Sequence, residues 1–108
     1  MSELSKKKCT PCASGANPMK GTILTTWAQL LQGGWNIIEE HHLEKEYRFK
    51  NFKQALDFTC AIGAIAEGEG HHPTITLTWG KVKVTIWTHK VDGLTENDFI
   101  LAAKCDAV

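Results

Sequence analysis

The chain has no surplus of either charge: 12 basic and 12 acidic side chains cancel to a formal net charge of zero. A nucleic acid or an anionic membrane as main partner calls for a basic excess that releases counterions or is drawn to the surface, so both are excluded in that role. No long hydrophobic run exists either; nothing approaches the ~20 apolar residues of a membrane span. The opening residues, MSELSKKK, have no apolar stretch behind them, so no signal peptide is visible and the cytoplasm is the expected compartment. A second Cys-x-x-Cys is also missing. Cys9 and Cys12, in C-T-P-C, have the spacing of half a zinc site or of a redox pair. Without a second half, and among Lys, Ser, Pro and Gly, they read as part of a mobile lead-in with no required metal, a redox or metal role being the alternative. Reduced thiols are expected throughout in that compartment. Cys60, beside Phe58, Ala61 and Ile62, is expected to act as a small buried hydrophobe.

What is present describes one ordinary globular domain. Its 108 residues, 43% apolar and 22% charged, have the composition of a folded chain. At that length roughly 60–70% of the unfolded surface can be withdrawn from water, enough for one core. Residues 1–20 form a polar, flexible N-terminal extension rich in Lys, Ser, Gly and Pro. Residues 21–108 carry the periodic patterns.

Ile23, Leu24, Trp27, Leu30 and Leu31 recur on one helical face until Gly33-Gly34 stops them. Trp35 to Glu40 reads as a strand, and Leu43, Lys45, Tyr47 and Phe49 alternate as a second. The charged residues Glu39 to His42 between them mark a wet hairpin tip, which makes His41 and His42 unremarkable. Lys50 to Glu67 is a second helix, its apolar face wide enough for packing on two sides, ended by Gly68 and Gly70. A hairpin follows, with strands near Thr74–Trp79 and Lys81–Thr88. Thr95 to Lys104 is a last helix, with Thr95 as N-cap and Asp98 three residues on as its capping-box partner. The fold class is therefore α+β in the order α-β-β-α-β-β-α, a four-stranded antiparallel sheet with three helices on one face.

The hairpin carries the chemistry. Along its second strand Val82, Val84 and Ile86 take the apolar face, which leaves Thr85, Trp87 and His89 on the other. Pro73 forces His72 into an extended conformation, and glycines at 68 and 70 permit a turn that brings His71 and His72 together. Pairing across Gly80 then delivers all three imidazoles, His71, His72 and His89, to one edge. A single strand histidine is usually structural, and three histidines can instead hold a catalytic zinc. No carboxylate is clearly placed to orient such a zinc site, and adjacent histidines seldom chelate one tetrahedral ion.

The run E-G-E-G-H-H-P from Glu67 to Pro73, then Trp79, Thr88-His89, Gly93-Leu94-Thr95 and Asp98, resembles the pterin-4a-carbinolamine dehydratases at every spacing. Gly34-Trp35 and F-K-N-F-K-Q-A, Phe49 to Ala55, are similar to the family as well; the likeness covers about residues 21 to 106. It implies a lyase that needs no cofactor or metal. Such an enzyme dehydrates 4a-hydroxytetrahydropterin to quinonoid dihydropterin and recycles tetrahydropterin for aromatic amino acid hydroxylases. It also implies a homodimer or homotetramer, a functional link to such a hydroxylase, and His71, His72 and His89 as catalytic residues. By matched position Glu67, Gly70, His71, His72, Trp87, Thr88, His89, Lys90 and Asp98 are expected around the pterin. Gly70 stands where animal members often have aspartate, and Trp87 where they have a small or polar residue. Asp98 is open between a site residue and a helix cap, and Glu67 between a site residue and an exposed helix-end acid. The rival function is a non-catalytic dimerisation or interaction module built on the open, Thr-rich sheet face.

Overall fold

The computed structural model describes residues 3–10 and 17–108. After a short 3-10 turn at Glu3–Lys6 come α1 (Thr22–Ala28), β1 (Asn36–Ile38), β2 (His42–Arg48), α2 (Phe52–Glu69), β3 (Thr74–Thr78), β4 (Lys81–Ile86) and α3 (Glu96–Asp106). The strands form one sheet in the order β1-β2-β4-β3, every neighbour antiparallel. The expected α+β class and element order hold. Among the described residues no helix is long and apolar enough to cross a membrane.

Alternation decides the two sheet faces. Leu43, Val82, Val84 and Ile86 are fully buried on one face, where each contributes roughly 1.5–3 kcal/mol by leaving water. The opposite face is polar: Glu44 meets Lys83 at 3.3 Å and Glu46 meets Lys81 at 3.6 Å across β2 and β4. Ala55, Ile62 and Ala66 of α2 and most of α3 cover the apolar side. α1 packs mainly on α3, with Trp27 against Phe99 at 5.9 Å between ring centres.

Several boundaries differ from the periodicity, each for a local reason. α1 ends at Ala28, because Leu30 and Leu31 bond back three residues, to Trp27 and Ala28, and so leave the α-helical track. Ile23 and Leu30 are consequently exposed. β1 is shorter than its apolar pattern because Glu39 and Glu40 both take left-handed backbone angles (φ 52° and 56°) in the hairpin turn. α2 is packed on one side only, with Phe52, Leu56 and Cys60 exposed; Cys60 is thus not a core residue. The helix begins at Asn51, whose side chain accepts from the Gln54 N–H, and runs through Gly68 to a left-handed cap at Gly70 (φ 66°). Residues 3–10, expected as part of a flexible extension, lie against α3. Leu4 is buried and Lys104 Nζ donates to the Ser5 carbonyl at 2.9 Å.

A buried polar knot closes the far end of the core. Asp106 accepts from Lys45 Nζ at 2.7 Å, Tyr47 Oη at 2.6 Å and Trp35 Nε1 at 2.9 Å, tying the end of α3 to β1 and β2. Gly34 (φ 99°) makes room for it, since a Cβ there would lie 2.9 Å from the Lys45 stem.

Beside the knot, burial pushes the Cys105 thiol up from its ordinary 9.0 to about 12, with Asp106 adding to the effect. Burial and Asp106 push the Tyr47 phenol up as well. In both cases the unfolded group ionises first, so stability is complete below the ordinary value and is lost as pH rises toward the folded one. The urea midpoint is therefore expected to fall steadily from about pH 9 to pH 12. Cys105→Ala should flatten part of that slope. A wild-type midpoint that stays level up to pH 11 contradicts the assignment.

Candidate active site

The histidine pocket forms where two helix ends meet the end of β4. At Gly70 the left-handed cap breaks α2 and redirects the chain, while the His71 N–H still bonds the Ala66 carbonyl. His71 is thereby turned back toward the first turn of α3. Its Nε2 lies 2.6 Å from Asp98 Oδ1, and the Asp98 side chain is fully buried. A carboxylate only accepts, so the His71 proton is on Nε2 and the neutral ring's basic lone pair is on Nδ1.

Asp98 holds more than the histidine. Its second oxygen accepts from the Thr95 N–H at 2.7 Å and from Thr88 Oγ1 at 2.8 Å. The two readings of Asp98 are therefore not alternatives. One oxygen caps α3 and the other orients the ring, so the pocket inherits the rigidity of the helix start.

His72 is more exposed and pairs with Glu67, Nε2 to Oε1 at 2.8 Å, with both side chains largely in water. Such a solvated pair orients the ring with little energy of its own. His89 follows β4 on the polar side, as alternation predicts, and stacks on Trp87 with 4.5 Å between ring centres. Among the described residues His89 has no carboxylate partner. The turn that carries it closes on itself through paired Thr88–Gly93 backbone bonds.

These elements enclose a cavity of about 590 Å³, lined among others by Gly70, His71, His72, Thr88, His89 and Lys90. Six of the expected site residues therefore share one concavity. Glu67, Trp87 and Asp98 do not line it; each stands behind a histidine and touches that ring. Among the described residues no three His, Cys, Asp or Glu side chains converge on a common metal position. His71 and His72 are instead each committed to a carboxylate.

Two features escaped the sequence reading. Cys9, Thr10, Glu69 and Asn97 also line the cavity. The first two belong to the leader, and no periodic pattern ties that segment to the pocket. Burial, Glu69 and Asp98 outweigh Lys104 and push the Cys9 thiol up to about 12. The Cys9 N–H, with Lys104 beyond it, holds the Glu69 carboxyl below its ordinary range against the effect of partial burial. The other feature is the pair His41 and His42, read as part of a wet tip. His41 Nε2 lies 2.7 Å from Asp92 Oδ1, and both rings pack on Trp87 at 5.4 and 6.0 Å. They brace the face of Trp87 and the loop that carries His89.

The chain is similar to known proteins in sequence and in fold. Residues 20–108 match the family model described as pterin 4 alpha carbinolamine dehydratase. A relative from Alkaliphilus metalliredigens, named for that activity, is 51% identical over 98% of this chain and 96% of its own. One from Rubrobacter xylanophilus, named likewise, is 50% identical over 98% of both chains. Among solved structures, a transcriptional coactivator/pterin dehydratase from Brucella melitensis superposes with a TM-score of 0.78 at 28% identity, covering 84% of this chain and 97% of that one. A pterin dehydratase-like protein identified as a RuBisCO assembly factor in the alpha-carboxysome gives 0.61 at 26% identity, over 70% of this chain and 89% of that one.

Proposed function

The chain belongs to the pterin 4 alpha carbinolamine dehydratase family and is a hydro-lyase, and on that premise we propose that it dehydrates 4a-hydroxytetrahydropterin by histidine acid–base catalysis. The observation that carries this reading is the His71–Asp98 bond at the wall of a cavity that His72 and His89 also line.

The reaction breaks the C4a–O bond, removes the proton on N5 and forms the C4a=N5 double bond of quinonoid dihydropterin. One proton goes to the departing hydroxide, which leaves as water, and one comes off nitrogen. No electrons are gained or lost overall, so the chemistry asks for two proton carriers and no redox cofactor. His71 is suited to be the base: its Nε2 is committed to Asp98, so Nδ1 receives the N5 proton. The carboxylate behind the ring offsets the charge that develops. His89, backed by Trp87, supplies the proton to the hydroxyl. His72, held by Glu67, orients the ring, which rests against Gly70, Thr88 and Lys90.

In a cell the product feeds the recycling of tetrahydropterin used by an aromatic amino acid hydroxylase, and a cytoplasmic location goes with that role. The same reading includes a homodimer or homotetramer, for which the exposed Phe52 and Leu56 of α2 offer apolar surface.

A stopped-flow assay of 4a-hydroxytetrahydropterin dehydration tests the proposal. The rate is expected to stand well above the spontaneous one and to ignore a chelator. His89→Ala should lower kcat about a hundredfold, as loss of one proton carrier does. A rate no faster than the spontaneous reaction sinks the dehydratase reading.

The second reading is a non-catalytic interaction module. It draws on the fold's likeness to a protein identified as an assembly factor and on the open sheet face. The cross-strand pairs Glu44–Lys83 and Glu46–Lys81 make that face a solvated one. Such a module has no use for the buried His71–Asp98 pair, so its activity in cells should survive His71→Ala and His89→Ala.

A further inference from the structure

Burial and the Glu69 carboxylate push the Cys9 thiol up, the opposite of what activates a cysteine; Cys12, the other half of the Cys-x-x-Cys, lies outside the described residues. The Cys9 thiol donates to the Asn97 carbonyl at 3.6 Å. The backbone around it is more informative. The Cys9 N–H donates to Glu69 Oε1 at 2.8 Å. At Thr10 the N–H donates to Asn97 Oδ1 at 3.0 Å, and the carbonyl accepts from Asn97 Nδ2 at 2.5 Å. Asn97 thus grips both peptide groups of Thr10, as a neighbouring strand does. Toward the N-terminus, buried Leu4 and the Lys104–Ser5 bond keep the segment on α3.

The two clasping residues are placed tellingly. Glu69 immediately precedes Gly70, and Asn97 immediately precedes Asp98. The same two helix ends that aim His71 therefore hold Cys9 and Thr10 at the cavity. We propose that the leader is a substrate-binding element: Glu69 and Asn97 are positioning residues that pin Cys9–Thr10 as a wall of the pocket, and that wall orients the pterin. Thr10 lines the cavity, and with its peptide groups committed to Asn97 its hydroxyl is the polar group it has left to offer a ligand. A pterin ring has donors and acceptors along its edge, and a hydroxyl can serve either. The clasp touches no proton carrier, so its loss acts on binding rather than on the chemical step.

This inference rests on the dehydratase reading, and its test separates the two. Asn97→Ala and Thr10→Pro, which removes the N–H that Asn97 holds, are made in the full chain. Three quantities are measured: kcat, KM, and the rate of trypsin cleavage at Lys6 to Lys8. Both variants should raise KM about fivefold to tenfold, keep kcat within twofold, and speed cleavage about tenfold. Glu69→Ala should behave like them, whereas Glu69→Gln, which keeps an acceptor for the Cys9 N–H, should stay near wild type. Thr10→Pro lies outside the domain core, so it reads the clasp even if Asn97→Ala unfolds. Faster cleavage with an unchanged KM overturns the proposal and leaves the dehydratase reading intact. So does a fall in kcat with KM unchanged, because that signature belongs to a disturbed His71–Asp98 pair. Absence of turnover in the unsubstituted protein removes the dehydratase reading and this inference with it.

Discussion

His71→Ala is expected to lower kcat/KM for 4a-hydroxytetrahydropterin dehydration about a thousandfold, within the 10²–10⁴ range for a lost acid–base group. The His71 side chain is only 13% exposed and its loss leaves one oxygen of the fully buried Asp98 without that partner. Melting should therefore also fall by several degrees, and the rate is compared at a temperature where both proteins are folded. The sharper experiment is Asp98→Asn. Asparagine keeps one carbonyl oxygen, which can still cap the Thr95 N–H and accept from Thr88. Its amide group then meets His71 Nε2, donor against donor, at a site built for a 2.6 Å bond. The imidazole relieves the clash by moving its proton to Nδ1, which leaves the basic lone pair facing the amide. A kcat loss of about a hundredfold or more is expected, with the fold retained. If Asp98→Asn folds and turns over at the wild-type rate, the assignment of His71 as the base is wrong.

The largest loss of stability should come from Asp106→Ala, far from the pocket. Its side chain is 3% exposed and that of Lys45 15%. Removing the carboxylate leaves an ammonium, a phenol and an indole N–H without their shared acceptor. Breaking a buried ion pair from one side costs about 3–5 kcal/mol. In a domain of this size that lowers the melting temperature by roughly 10–20 °C. Lys45→Met should be milder, because Asp106 keeps the Tyr47 and Trp35 donors and the methionine fills the same channel. Thermal denaturation of both variants and of the double substitution measures the coupling. Equal, small losses for both single variants show that the knot contributes little.

Much of the site was legible in the sequence because it depends on short-range rules. Strand alternation placed Trp87 and His89 on the polar side of β4, and those two rings are stacked there. Pro73 and the glycines implied a turn before the hairpin, and the turn lies at Gly70, with Gly68 still helical. The pattern Thr95 to Asp98 announced a helix cap. What it could not announce is that Asp98, with two oxygens, caps the helix and holds His71 at the same time. That follows from where α2 ends in space. His41 and His42 lie at the hairpin tip, as their charged neighbours in sequence imply; what those neighbours could not reveal is that in space the pair meets Trp87 and Asp92.

The sequence by itself determined the element order, the two faces of the β3–β4 hairpin, the Thr95 cap of α3 and the family. These depend on contacts within a few residues, on the period-two and period-3.6 burial patterns, and on motif spacing. Only the tertiary structure decided that Asp106 gathers Lys45, Tyr47 and Trp35, and that α2 leaves Phe52 and Leu56 in water. It alone decided that Cys9 and Thr10 join the histidines. Those contacts bridge 59 to 87 positions of chain between Tyr47 and Asp106 or Thr10 and Asn97. A hydrogen bond across such a span carries no local period. It exists only once the packed core has fixed where both of its ends lie.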